Sequence, residues 1–150
     1  MQILEYYSYL KLKSDDNQIF EIETESLKLS AFLSNLILDF PDEEDEIPIN
    51  GVNGKYLKLI VDFLNHYKTE EIKEIPKPLP TGDLSLYIPQ WDYNYINNLS
   101  LEETIELLNA AQILDINDLI NLASAKIGSE MLNGTVEEVL DKFTIKDNEK

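Results

Sequence analysis

The sequence contains no cysteine, so this chain can form neither a disulfide framework nor a thiolate-ligated zinc site. It has a single histidine, His66, and one histidine without cysteine cannot complete a zinc site. We assign His66 a structural role near the end of a predicted helix. The five glycines include no phosphate-binding loop pattern. We therefore expect no metal, no cofactor and no catalytic residues, and we expect that the protein is not an enzyme.

Arginine is also missing, and the sequence has no long apolar run. The twelve basic residues are all lysine, 29 residues are acidic, and the formal net charge is −17. Such a charge repels phosphate backbones and anionic lipid, so we expect no nucleic acid partner and no membrane partner. No stretch approaches the roughly 18 apolar residues of a membrane helix, and the first residues lack signal-peptide features. We expect a cytoplasmic and nuclear protein.

Strand patterns open the chain. Residues 7–13 and 19–22 alternate in part and flank the turn residues at 15–17, which predicts a β-hairpin. Apolar residues between Leu27 and Phe40 then recur at helical spacing, and Pro41 would end that helix.

The middle of the chain alternates between loops and short elements. Six carboxylates lie within residues 39–46, and we interpret them as a solvated, flexible loop, because the ligand spacing of a calcium loop is missing. Residues 47–50 predict a short edge strand, and Asn53 is a plausible N-cap for a helix over 54–67. Residues 68–88, which are rich in proline and charge, predict a second flexible loop.

Helical signals dominate the last fifty residues. Ser100 and Glu103 form a capping box for a helix that starts at Leu101. The polar break DIND at residues 115–118 separates it from a second helix, which Asn117 can cap, and residues 135–138 form another capping box for a short third helix. Apolar residues surround much of each helix, so either a partner or a compact helical subdomain must cover them.

Trp91 leaves two interpretations open. In the segment IPQWD it can anchor a partner, or it can pack against its own domain beside the proline turn. The sequence favours the second interpretation.

Several motifs, in order, resemble one family. They are SDDNQIFEI, IPINGVNGKYLKLIVDFLNHYK, IPQWDYNYI, LLNAAQILDINDLI and GTVEEVLDKFTIK. Over nearly the whole chain the sequence resembles the S-phase-kinase-associated protein family, the F-box adaptor subunits of cullin-based ubiquitin ligases. The resemblance implies an α+β, BTB/POZ-type fold with a C-terminal helical extension. It places the BTB/POZ-type domain at residues 1–132 and the F-box-binding extension at 133–150, and we expect this extension to be truncated relative to the family.

The resemblance also implies a function and two binding surfaces. The chain would be a non-catalytic adaptor of an SCF-type E3 ubiquitin ligase and link an F-box substrate receptor to the cullin scaffold for protein ubiquitination. Its partners would be F-box proteins and the cullin N-terminal domain, and without an F-box partner its apolar surface favours self-association. The F-box-binding residues carried over from the family are Ile116, Leu119, Ile120, Ala123, Ile127, Met131, Val139, Leu140, Phe143 and Ile145. The cullin-binding residues are Asn109, Gln112 and Ile113.

One departure from the family motivates an alternative. The family commonly has Asn-Tyr where this chain has Gln112-Ile113. The alternative function is therefore a sequestering or scaffold protein that binds F-box proteins but has a lost or altered cullin contact.

Overall fold

The structure, a computed structural model, describes residues 9–37 and 46–134, and its first element is a three-stranded sheet in the order β2-β1-β3. The strands are β1 (Tyr9–Lys13), β2 (Ile19–Glu23) and β3 (Glu46–Pro48). β1 pairs antiparallel with β2 and parallel with β3. Leu10 and Leu12 point into the core, because alternate strand residues face the same side. The predicted hairpin and the predicted edge strand are both confirmed.

The described α-helices are α1 (Ala31–Leu36), α2 (Gly54–His66), α3 (Gln90–Asn97), α4 (Leu101–Ile113) and α5 (Asn117–Asn133). Two of them, α2 and α4, begin at the predicted capping signals. The Asn53 side chain accepts a hydrogen bond from the Lys55 amide and caps α2, as predicted. The capping box before α4 is also present: the Glu103 amide donates to Ser100 Oγ at 3.1 Å, and the Ser100 amide donates to Glu103 Oε1 at 2.9 Å.

The helix predicted from Leu27 to Phe40 is interrupted in the structure. A 3-10 helix covers Thr24–Leu29, and α1 begins only after Ser30. Ser30 has extended backbone angles, and its hydroxyl oxygen accepts from the Leu33 amide as an N-cap. Apolar spacing alone did not show this cap. The part of the prediction beyond residue 37 lies outside the described residues.

Sequence patterns also missed α3. This helix starts directly after Pro89 and contains Trp91, whose ring stacks on that of Tyr95 with centroids 5.0 Å apart. The preceding proline-rich segment contains a short 3-10 helix, Leu84–Leu86, and otherwise lacks regular structure. Most of residues 68–88 thus lacks regular structure, and the predicted flexibility of this loop stays a prediction.

Two compact units make up the chain. One comprises Met1–Ile72 with Glu106–Ile120, and the other comprises Lys73–Ile105 with Asn121–Lys150. The first contains the sheet, α1, α2 and the end of α4. Strands followed by helices give the α+β class that the sequence predicted. The predicted domain boundary after residue 132 stays a prediction.

In the first unit, α2 packs against β2 and the 3-10 helix that follows it. Leu57, Ile60 and Leu64 form its buried stripe. Lys68, just past the helix, forms an ion pair with Glu23 of β2. The hydrogen bond from the Lys68 ammonium, together with its charge, holds the pKa of the Glu23 carboxyl below its usual value. This pair links the end of α2 to the sheet.

Candidate functional site

The described residues offer no visible centre for metal chemistry. Within 9–37 and 46–134, no three histidine, aspartate or glutamate side chains come together as metal ligands would. His66 lies in the last turn of α2, where its ring makes an edge contact with that of Tyr67 at a centroid distance of 4.7 Å. In the same parts of the chain, every helix falls short of the length and apolar character needed to cross a membrane. The candidate functional sites among the described residues are two surfaces, one on α4 and one on α5.

The last turns of α4 form the first surface. Asn109, Gln112 and Ile113 are all exposed, with Ile113 at 40%. Positions three and four apart lie on one side of a helix, so the three side chains are neighbours. The structure thus brings together the three residues that the sequence assigned to the cullin.

A tight turn ends α4 next to this surface. The Ile116 amide donates to Ala111 O at 3.0 Å, and the Asp115 amide donates to Gln112 O at 3.2 Å. These two bonds are those of a Schellman motif, which needs a left-handed residue, and Asp115 has a φ of 53°. Ile116 is fully buried beyond the turn, as the motif's apolar contact requires. The motif fixes where the exposed face of α4 stops.

Ser30 holds the same helix end from the other side. Its hydroxyl donates to the Leu114 carbonyl oxygen at 2.6 Å while its oxygen caps α1. Ser30 and Leu114 are both fully buried, so this bond satisfies a carbonyl that water cannot reach. The interruption of the predicted Leu27–Phe40 helix therefore has a structural use, because it joins α1 to the end of α4.

The second surface lies on α5, and the structure divides the residues that the sequence assigned to the F-box. Ile116, Leu119 and Ala123 are each 0% exposed. Their side chains are part of the core, which corrects the expectation that they form an open binding surface. Apolar periodicity cannot tell a residue buried in its own fold from one that awaits a partner.

The other predicted residues of α5 are accessible. Ile120 and Ile127 are half-buried, and Met131 is 48% exposed. Val139, Leu140, Phe143 and Ile145 lie outside the described residues, and their assignment stays a prediction.

An apolar groove in the second unit runs beside α5. Its volume is about 350 Å³. It is lined by Ile75, Pro76, Lys77, Pro78, Leu79, Asn121, Ser124, Ala125, Gly128, Met131 and Leu132. Lys77 Nζ donates to Asn121 Oδ1 at 2.7 Å and ties the proline-rich segment to the helix. At Gly128, an added Cβ would meet no atom within 4 Å, so the groove is open at this point.

Sequence reasoning missed one wall of this groove. Ile75, Pro76, Pro78 and Leu79 belong to a segment to which the sequence assigned no site, and Leu132, 57% exposed, was also left out. The available signal was the cluster of apolar residues between Ile75 and Pro80, interrupted by Lys77 alone, within a charged loop. Prolines present apolar surface at a small entropic cost, because their backbone is already restricted.

Comparisons with known proteins agree with this architecture. The family model described as "Skp1 family, tetramerisation domain" matches residues 8–69. The S-phase kinase-associated protein 1 homolog of Tetrahymena thermophila is 36% identical over 91% of this chain and 81% of its own length. The SCF ubiquitin ligase complex protein SKP1a of Dictyostelium discoideum is 28% identical over 94% of this chain and 86% of its own length. The likeness covers both units.

Proposed function

The chain belongs to the Skp1 family, and from this premise we propose that it is a non-catalytic adaptor of an SCF-type, cullin-based E3 ubiquitin ligase. In this role it links an F-box substrate receptor to the cullin scaffold for protein ubiquitination. One observation carries the proposal: the chain exposes two surfaces that share no residue, the end of α4, where two amides flank the exposed Ile113, and the apolar groove beside α5. A bridging protein needs two such surfaces, and a single-partner protein does not.

In this proposal, the groove beside α5 is the surface that binds the F-box. Met131 and Leu132 are largely exposed at one wall, and large exposed apolar side chains mark interaction sites. The occupant is an amphipathic helix of the F-box, whose apolar residues would fill the groove and cover both side chains. Ile120 and Ile127 contribute the accessible part of α5, and Val139, Leu140, Phe143 and Ile145 are proposed to extend this surface. Until an F-box covers it, the exposed apolar surface supports self-association.

In this proposal, the end of α4 is the surface that binds the cullin. Asn109 and Gln112 supply amide groups, which both donate and accept hydrogen bonds, and Ile113 supplies an exposed apolar anchor between them and the turn. Small interfaces depend on a few such anchors surrounded by polar groups.

The three buried residues have a different role in the proposed function. Ile116, Leu119 and Ala123 shape α5 from inside the fold. A charge at Leu119 would be buried without a partner, so Leu119→Asp would abolish F-box binding by disrupting folding. That variant therefore cannot test the interface.

The adaptor is proposed to work in the cytoplasm and the nucleus. Imaging a fluorescent fusion of the full chain tests this proposal, and exclusion from both compartments would contradict it.

Binding to an F-box is tested by gel filtration. An F-box fragment mixed with the full chain at micromolar concentration should co-elute as a stoichiometric complex. Separate elution of the two proteins would contradict the adaptor function itself, because both the adaptor and the sequestering alternative need this complex.

Binding to a cullin is tested by titrating a cullin N-terminal domain into the preformed F-box complex in a calorimeter. The adaptor function predicts a saturable ternary complex with one cullin domain for each chain. A complete lack of binding would favour the sequestering protein, which keeps only the F-box surface.

A further inference from the structure

The hairpin loop between β1 and β2 is bonded to the turn that precedes α2. The Asp15 amide donates to Val52 O at 2.9 Å, and the Gly51 amide donates back to Asp15 Oδ2 at 2.8 Å. Asp15 is exposed, so its carboxylate has no role in the core. This reciprocal pair fixes the distance between the two loops.

Asp16 makes a further bond to the same turn and two bonds within the hairpin loop. Its Oδ1 accepts from the Gly54 amide at 2.8 Å and from the Ser14 hydroxyl at 2.6 Å, and its Oδ2 accepts from Gln18 Nε2 at 2.6 Å. Gly54 is the first residue of α2, where a free amide and the helix dipole favour a carboxylate. A Cβ on Gly54 would lie 2.5 Å from Gln18 Cδ, so a larger residue here would displace the Gln18 amide that is bonded to Asp16.

The far side of this turn lies against the exposed end of α4. Gly51 has a φ of 89°, a conformation that residues with a side chain rarely adopt. A Cβ built on Gly51 would be 3.1 Å from Ile113 Cδ1, so the turn backbone supports the tip of the Ile113 side chain. Ile113 is 40% exposed, so part of its side chain faces solvent. The hairpin, the turn and Ile113 therefore form a continuous line of contacts within the first unit.

We infer that Asp15 and Asp16 are positioning residues for the cullin contact: they hold the turn from Gly51 to Gly54 against Ile113 and so set the direction of its exposed side chain. The inference rests on the proposed function, since it assumes that Ile113 touches the cullin. Neither carboxylate needs to touch the cullin itself. An anchor that is fixed before binding does not lose rotamer freedom on binding, so loosening it lowers the affinity.

The test compares the wild-type chain with Asp15→Ala/Asp16→Ala, each as the complex with an F-box fragment. We expect the double variant to weaken binding of the cullin N-terminal domain about fivefold or more and to leave the F-box affinity within about twofold. Glu70→Ala/Glu71→Ala, which removes two exposed carboxylates of the same unit, is the control for charge and should bind like the wild type. Asp15→Asn/Asp16→Asn should restore most of the affinity, because an amide oxygen still accepts the two backbone bonds.

Two further measurements separate positioning from general loosening of the fold. The Ile113 δ1 methyl signal should shift in the NMR spectrum of Asp15→Ala/Asp16→Ala. It should not shift in the control, Glu70→Ala/Glu71→Ala. In an Ile113→Ala background the two alanine substitutions should no longer affect cullin binding, because the side chain that they position is gone. If the double variant fails to fold, Asp15→Ala alone serves, since it removes one bond at an exposed residue.

The outcomes distinguish the inference from the function that it rests on. No cullin binding by the wild type would overturn both. Normal binding by the wild type together with unchanged binding by the alanine variants would overturn the positioning role and leave the adaptor function standing. An unshifted Ile113 methyl signal would also overturn the positioning role, with or without a cullin.

Discussion

Ser30 carries two hydrogen bonds that join different parts of the chain. It caps α1 through the Leu33 amide and donates to the buried Leu114 carbonyl at 2.6 Å. Ser30→Ala removes the cap and leaves that carbonyl without a partner, so we expect a loss of about 2–3 kcal/mol in the free energy of unfolding. Urea denaturation at pH 7 measures this change.

The control for Ser30 is Ser124→Ala, at an exposed helix position of α5. Its free energy of unfolding should stay within about 0.5 kcal/mol of the wild type. Equal stability of the two variants would show that the Leu114 carbonyl finds another partner, and would contradict the role given to Ser30.

Asp16 should titrate below the usual range of an aspartate. Its ordinary pKa is 3.8, and hydrogen bonds from the Ser14 hydroxyl and the Gly54 amide lower this pKa by favouring the carboxylate. Because the folded-state pKa is lowered, the carboxylate stabilises the fold above pH 3.8. This stabilisation is lost as the pH falls through the folded-state pKa.

An NMR titration of the side-chain carboxyl carbon tests this expectation. The Asp16 midpoint should lie below 3.8 in the wild type and rise in Ser14→Ala, which removes the largest cause of the shift. Ser34→Ala, whose hydroxyl donates to Leu27 O instead, should leave the midpoint unchanged. A midpoint that is the same with and without the Ser14 hydroxyl would contradict the bond.

At the scale of the elements, α4 ends at a left-handed residue, Asp115, where such helix ends usually have glycine. Asp115 sits at a φ of 53°, which short polar residues tolerate and β-branched residues do not. Asp115→Val should lower the free energy of unfolding by about 1–2 kcal/mol. Asp115→Gly removes the same charge without strain and should be at least as stable as the wild type. Thermal and urea unfolding of the pair measure the difference, and equal stability would contradict the left-handed geometry.

The groove beside α5 can be closed at Gly128 without disturbing the core. A Cβ there meets no atom within 4 Å, so Gly128→Ala should stabilise the helix by about 0.5–1 kcal/mol and leave F-box binding within about twofold. Gly128→Phe should occupy the groove and weaken F-box binding about tenfold or more while the chain stays folded. Calorimetric titration with an F-box fragment measures both. Equal F-box affinity of the phenylalanine and alanine variants would exclude the groove from the interface.

Local signals were sufficient for the elements that local chemistry defines. The capping box at Ser100 and Glu103, the cap at Asn53 and the alternation in the hairpin each depend on residues within a few positions of one another, and each is confirmed. The group at Asn109, Gln112 and Ile113 came from the family resemblance alone. Neither local chemistry nor a resemblance needs tertiary information.

Most of the features that the sequence patterns did not predict depend on tertiary contacts. The α-helix begins only after Ser30, whose hydroxyl caps it and is bonded to Leu114, 84 residues away. Leu119 and Ala123 have the same apolar character as an interface residue, and only the packed fold shows that they are buried. α3 is short and polar and follows a proline, so its periodic signal is weak. The groove needs the proline-rich segment beside α5, and no local pattern predicts that proximity.

For the whole molecule, the net charge and the exposed apolar side chains affect partner binding in different ways. A net charge of −17 favours partners with basic surfaces. Among the large apolar side chains that are exposed within residues 9–37 and 46–134, Ile113 is in the first unit while Met131 and Leu132 are in the second. Each proposed surface therefore has an exposed apolar residue that can be changed by itself.

Because the two proposed surfaces share no residue, substitutions in them should act independently. Ile113→Asp should weaken cullin binding about tenfold or more and leave F-box binding unchanged, since a charge at an apolar anchor is costly to bury. Leu132→Asp, the matched change in the groove, should do the reverse. In the double variant the two losses should add, as expected for sites without shared partners. Calorimetry on all four proteins measures this. A Leu132→Asp variant that stays folded but loses cullin affinity would contradict independent surfaces and point to coupling between the two binding steps.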